Sequence, residues 1–155
     1  MPTLYILCGP SGSGKTTWAA NFMKEYDDIR YVSRDEIRFQ LVNPDESYFS
    51  REKEVFRRFT NTIRHTLVDG FDCIADATHL NEFSRRKLTQ AIDMYFKDYE
   101  IVYVSFNVNV DTCIEHNTNR EGRTNVPETV IRNMCRDFRA PSIEEDERAK
   151  EVIEV

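Results

Sequence analysis

Residues 9–17 read GPSGSGKTT and follow at once on the apolar run Leu4–Cys8. The stretch holds a complete GxxxxGK[ST] pattern in the strand-then-helix setting that this pattern requires. Gly9, Gly12 and Gly14 can adopt backbone angles closed to other residues. The loop amides, those of Ser11, Ser13 and Thr17 included, can therefore turn inward around phosphate oxygens at a helix N-terminus. Lys15 would then reach the β and γ phosphates, and the Thr16 hydroxyl sits where the pattern puts a magnesium ligand. The reading predicts a bound nucleoside triphosphate, ATP with Mg2+.

Working outward, five short runs read as strands: Thr3–Cys8, Arg30–Ser33, Asp72–Ala75, Glu100–Asn107 and Glu151–Val155. The first and fourth are nearly continuous apolar, as in strands buried on both faces of a parallel sheet. The segments between them have helical spacing: Trp18, Phe22 and Tyr26; then Phe56, Phe59, Ile63 and Leu67 with a stop at Asp69-Gly70; then Leu88, Ile92 and Phe96. These stripes are expected in the core. The alternation predicts a three-layer α/β P-loop NTPase fold with a mostly parallel five-stranded sheet, a helical lid and right-handed crossovers. Ligands in such a sheet bind at the carboxyl ends of the strands, so the residues just after each strand are the candidates for chemistry.

At 155 residues and 18.3 kDa the chain suits one domain with a real core. Its net charge of −6 argues against a surface that attracts nucleic acid everywhere. Residues 142–155 hold six acids and two bases, leaving −4 in this tail and −2 in the remainder. A local basic channel is therefore compatible with the average. Cys8, Cys73, Cys113 and Cys135 lack the close pairing of a zinc or redox motif and read as reduced thiols of a cytosolic protein. The N-terminal apolar run leads straight into the glycine loop, so neither a signal peptide nor a membrane span is expected.

After the second strand comes Ser33-Arg34-Asp35-Glu36-Ile37-Arg38. If Asp35 opens a helix, Arg38 shares its face, and a carboxylate can take a hydroxyl's proton while the arginine holds a nearby anion. The same spacing also fits an N-cap aspartate with a surface arginine. After the third strand comes Asp76-Ala77-Thr78-His79-Leu80-Asn81. Asp76 can hold a magnesium-bound water beside the phosphate loop, or simply end a strand. His79 reads as a structural histidine, and Arg85, Arg86 and Lys87 face either solvent or an anionic substrate. After the fourth strand, a helix over Asp111–Asn119 leads into a polar connection, and Asn125 with Glu128 has capping-box spacing before a helix running toward Phe138. The connection, about 119–127, suits either a plain turn or a lid that carries an arginine to a transferring phosphoryl group.

Together GPSGSGKTT, SRDEIR, DATHLN and NREGRTNVPETVIRNM resemble the P-loop kinase family that contains the bacteriophage polynucleotide 5′-kinase domain, over Leu4 to about Phe138. The resemblance implies transfer of the γ-phosphoryl of ATP to the 5′-hydroxyl of DNA or RNA in the cytoplasm. It implies Lys15 and Thr16 at the donor phosphates and magnesium, Asp35 as general base, Arg38 on the adjacent acceptor phosphate, and Arg120 or Arg123 as lid arginine, Arg120 preferred. His79 stands where many relatives have asparagine, and no phosphatase domain is implied. Two other readings stay open: a kinase of a small acceptor such as a nucleoside or sugar, and a nucleotide-binding regulatory module without transfer. No Asn-Lys-x-Asp segment of the kind that reads guanine in GTPases follows the fourth strand.

Overall fold

Five strands, Thr3–Cys8 (β1), Ile29–Ser33 (β2), Asp72–Asp76 (β3), Glu100–Ser105 (β4) and Ala149–Glu154 (β5), form one sheet in the order β2-β3-β1-β4-β5. Every pairing is parallel, so the sheet is parallel throughout. The computed structural model describes residues 1–120, 122 and 126–155. From β1 the chain crosses to one side of the sheet through helix Lys15–Met23 (α1). It returns through Arg34–Leu41 (α2) and Glu52–Val68 (α3), then crosses to the other side through Glu82–Asp93 (α4). Neighbouring β1 and β3 are thus followed by connections running in opposite directions. The crevice at their carboxyl ends is the switch point where such sheets bind ligands.

Local chemistry starts and stops these elements. Ser33, not Asp35, is the N-cap of α2: its Oγ accepts from Glu36 N at 3.2 Å, which removes the N-cap reading of Asp35. Asn81 and Ser84 cap α4 reciprocally, and Asn109 accepts from Thr112 N at 2.9 Å at the start of Val110–Thr118 (α5). Gly70, at φ 89°, ends α3 by donating to Leu67 O at 3.0 Å while Phe71 N reaches Thr66 O at 3.2 Å. Helix Glu128–Asp137 (α6) has Pro127 at its N-cap, and the expected capping partner Asn125 lies outside the described residues.

Helices cover both faces. On one, Leu4, Ile6 and Cys8 meet Phe59, Ile63 and Leu67 of α3 and Leu88 and Ile92 of α4; on the other, Leu7, Ile74 and Val104 meet Ala19 and Phe22 of α1. Each fully buried side chain of this size contributes about 1.5–3 kcal/mol. The aromatic stripe of α1 is only partly core. The helix stops at Met23, so Tyr26 lies beyond it, exposed, although its ring still stacks on Phe22 at 4.4 Å.

The acidic C-terminal segment is built into the fold. β5 is the edge strand beside β4, with a register shift between Ile101 and Val102. Glu145 pairs with Arg85, and Arg148 binds Asp93 at 2.7 and 2.8 Å and Asp146 at 2.9 Å. Among the described residues no helix is long and apolar enough to cross a membrane.

Candidate active site

At the carboxyl end of β1 the chain turns through Gly12 at φ 83° and Gly14 at φ 97° into the first turn of α1. Gly12 also has no room for a side chain, since a Cβ there would lie 2.4 Å from Cys113 O. Further bonds tie the loop in place: Gly9 N donates to Thr78 O at 2.8 Å, and the His116 Nδ1–H donates to Gly12 O at 2.7 Å. Lys15 Nζ reaches Gly9 O at 2.9 Å and Pro10 O at 2.8 Å, and burial lowers its pKa against the pull of Asp76. Ser13 is buried, with its Oγ unpartnered. Ser11, Lys15 and Thr16 line one side of the loop, and Gly12, Ser13, Gly14, Thr16 and Thr17 the other.

Asp76, at the end of β3, lies beside this loop. Its Oδ2 accepts from Thr16 Oγ1 at 3.2 Å and from the Tyr31 hydroxyl of neighbouring β2. Burial raises the Asp76 pKa, a cost that Lys15, Tyr31 and Thr16 only partly offset. A carboxylate and a hydroxyl, both hard oxygen donors, fit a magnesium ion that keeps waters and substrate phosphates as its other ligands. Among the described residues no group of three His, Cys, Asp or Glu side chains could hold a metal without such help.

A cavity of about 720 Å³ extends from Lys15, Thr16 and Asp76 to Asp35. Asp35 and Arg38 lie one turn apart on α2, where Arg38 Nη1 donates to Asp35 Oδ1 at 2.5 Å. The Tyr48 hydroxyl donates to the same oxygen at 2.9 Å. Arg38 is nearly buried, its side chain 8% exposed against 58% for Asp35. Glu52, the first residue of α3, holds it from Nε at 2.8 Å and Nη2 at 3.1 Å, and Nη1 also donates to Tyr48 at 3.1 Å. Four of the five guanidinium N–H groups are engaged in this way. Tyr48, whose pKa burial and Asp35 push up to about 12, remains a hydrogen-bond donor. Phe39, Tyr48, Phe49, Phe56 and Phe83 line this end.

The segment after β3 carries no exposed catalyst. His79 is buried at φ 42°, its Nδ1–H donates to Leu7 O at 2.6 Å, and burial lowers its pKa to about 4. Of the three basic residues that follow, Arg85 is buried and bound to Glu145 at 2.6 and 2.9 Å and to His79 O at 2.9 Å. Arg86 pairs with Glu82, and Lys87 alone of the three lines the cavity. Arg120 stands where the main cavity meets a second one of about 610 Å³ that includes Trp18, Asn21, His116 and Asn119. Arg123 lies outside the described residues.

A profile described as an AAA domain matches residues 4–141. The chain belongs to the AAA domain family. Solved structures place this AAA domain in the P-loop kinase fold. It superposes on a chain of the Pnkp1/Rnl/Hen1 RNA repair complex with TM-score 0.74 and 22% identity, over 88% of this chain and 43% of that one. It superposes on a fungal RNA kinase with TM-score 0.67 and 14% identity, over 99% and 38%. A sugar kinase from Janibacter sp. matches with TM-score 0.69 and 15% identity, over 99% and 86%. The AAA domain thus spans about two fifths of either RNA-processing chain.

Tyr31, Tyr48 and Glu52 escaped sequence reasoning in this AAA domain. Each acts on a residue 13 to 45 positions away, so no local spacing announces it.

Proposed function

We propose that this AAA domain transfers the γ-phosphoryl group of ATP to a hydroxyl, the 5′-hydroxyl of a DNA or RNA end. One observation carries the reading: a single cavity joins the phosphate loop and Asp76 to a carboxylate fixed by Arg38 and Tyr48, and its far end is walled by aromatic rings. Simple nucleotide binding needs no second carboxylate at that place. Aromatic faces suit an acceptor that carries bases, whereas a sugar is bound by amides and carboxylates.

In this reading the loop amides and Lys15 hold the donor phosphates, and Thr16 and Asp76 are the residues that would hold Mg2+, which supplies charge neutralisation to those phosphates. The acceptor oxygen bonds to the γ phosphorus as the bond to the β–γ bridging oxygen breaks, ADP leaves, and the hydroxyl proton passes to Asp35. Both structural hydrogen bonds to Asp35 fall on Oδ1, so Oδ2 is the oxygen with capacity for that proton. The lid arginine, Arg120 or Arg123, completes the positive surround of the phosphates. The second cavity, with Trp18 and two asparagines beside the loop, suits the donor's base.

The sugar kinase match favours a second reading, a small acceptor, because there the two chains are nearly coextensive. Mass spectrometry of 5′-hydroxyl oligonucleotides and of a panel of nucleosides and sugars, each incubated with protein, ATP and Mg2+, separates the two. Phosphate gain on the oligonucleotides with wild type but not Asp35→Asn is expected. Gain on a sugar alone would replace the first reading with the second.

A further inference from the structure

The cavity holds a guanidinium that nothing so far has used. Arg34 precedes the proposed base by one residue and lines the same cavity, half-buried. Its Nη2 donates to Glu52 Oε2 at 3.0 Å, yet Nε is buried without a partner. The cost of an unmet buried donor is ordinarily avoided, so this one calls for an acceptor supplied from elsewhere. Glu52 cannot supply it, because both of its oxygens already receive Arg38. Burial accordingly holds the Arg34 pKa below that of an ordinary arginine, and Glu52 offsets this only in part.

A second cation stands on the same wall. Lys87, on α4, lies 4.8 Å from the centroid of the Phe56 ring, and the Arg34 guanidinium lies 5.5 Å from that centroid. Among the described residues Lys87 makes no ion pair. Arg38, the residue on this helix closest in role, is nearly closed to ligands by Glu52, Asp35 and Tyr48.

We propose that Arg34 and Lys87, set around Phe56, form the binding site for a phosphate of the acceptor next to the attacked hydroxyl, while Arg38 acts as a positioning residue for Asp35. The site takes a phosphomonoester or phosphodiester, which offers the acceptor oxygens that Arg34 Nε lacks and a charge for Lys87. The proposal rests on the phosphotransfer reading for its acceptor, but the anion site itself is tested separately.

The first measurement compares kcat/KM for a nucleoside and for the same nucleoside bearing a 3′-phosphate. The preference of the wild type for the phosphorylated acceptor should fall at least tenfold in Arg34→Gln and in Lys87→Ala, through KM. Arg38→Lys should instead lower kcat for both acceptors alike. Equal losses on both acceptors in the Arg34 and Lys87 variants would overturn the assignment. The second measurement needs no turnover: fluorescence anisotropy of a labelled 5′-hydroxyl oligonucleotide across a salt series. Each variant should reduce the slope of log affinity against log salt by about one for single cations lost. An unchanged slope, or no binding by the wild type, overturns the site. Anisotropy that responds while no acceptor is phosphorylated would retain the anion site and remove the kinase reading.

Discussion

Thr16 Oγ1 lies 3.2 Å from Asp76 Oδ2 although 60 positions separate the two residues, because β1 and β3 are parallel neighbours that end at the same level. The contact brings the two proposed metal ligands together at the cost of burying a carboxylate whose ionised form is penalised there. Asp76→Asn should therefore raise the melting temperature of the nucleotide-free protein. It should also weaken ATP binding in Mg2+ by at least about tenfold, as expected when a charge-assisted ligand is lost. Calorimetry with and without Mg2+ checks both, and a lowered melting temperature would contradict the burial argument.

Asp35→Asn keeps the size of the side chain and its place beside Arg38 but cannot take a proton. Turnover should fall by about 10²–10⁴, with ATP affinity little changed. Glu52→Gln, which loosens Arg38 without touching the cavity's donor end, should cost roughly tenfold in kcat, since misplacing a catalytic group slows transfer even when its chemistry is intact. Steady-state kinetics beside equilibrium ATP binding distinguishes these from general damage, which would reduce both.

His79 provides a pH test of stability. Burial, with Arg34, Lys15 and Arg85 nearby, depresses its folded pKa from 6.5 to about 4. Above pH 6.5 neither the folded nor the unfolded state protonates this ring. Between 6.5 and 4 the unfolded state takes up the proton and the folded state does not, so stability declines as pH falls through that window. At about 1.4 kcal/mol per unit the loss is on the order of 3 kcal/mol. His79→Asn, which also tolerates positive φ, should flatten that part of a melting-temperature profile relative to wild type. Parallel profiles for the two proteins would refute the assignment.

Glu145→Ala should destabilise the protein by about 3–5 kcal/mol, because it leaves the Arg85 guanidinium buried without its carboxylate. Arg85 and Glu145 have side chains only 2% and 11% exposed, so solvent cannot replace the missing charge. The double variant Arg85→Met with Glu145→Leu should recover most of that loss in urea denaturation.

Gly12→Ala places a methyl group against Cys113 O in a backbone conformation that L residues rarely adopt. The strain alone is about 1–3 kcal/mol. Thermal unfolding should show that loss, and ATP affinity should drop with it, because the displaced loop presents its amides out of register.

Much of the fold was legible in the amino-acid order. The glycine loop after Leu4–Cys8 specified a strand, a tight turn and a helix, since that backbone path is open only to glycine at φ 83° and 97°. The apolar runs specified strands buried on both faces, and the periodic stripes of α3 and α4 specified which helix faces met them. Asp35 and Arg38 could be placed together because a helix puts residues three apart on one face.

What lay beyond the sequence were relations across the sheet and between helices. Whether Asp76 met Thr16 depended on β3 lying next to β1, and strand order is not written in any local pattern. Which basic residue of the Arg85-Arg86-Lys87 run was buried depended on Glu145 arriving from the C-terminal segment. The engagement of Arg38 and the unmet donor of Arg34 were both decided by Glu52, brought to α2 when α3 folded back against it. Local sequence determines which conformations each segment can adopt, and long-range packing decides which side chains then share a dry, charged cavity. For that reason the phosphate loop was apparent from nine residues, while the partition of work among Arg34, Arg38 and Lys87 required the tertiary structure.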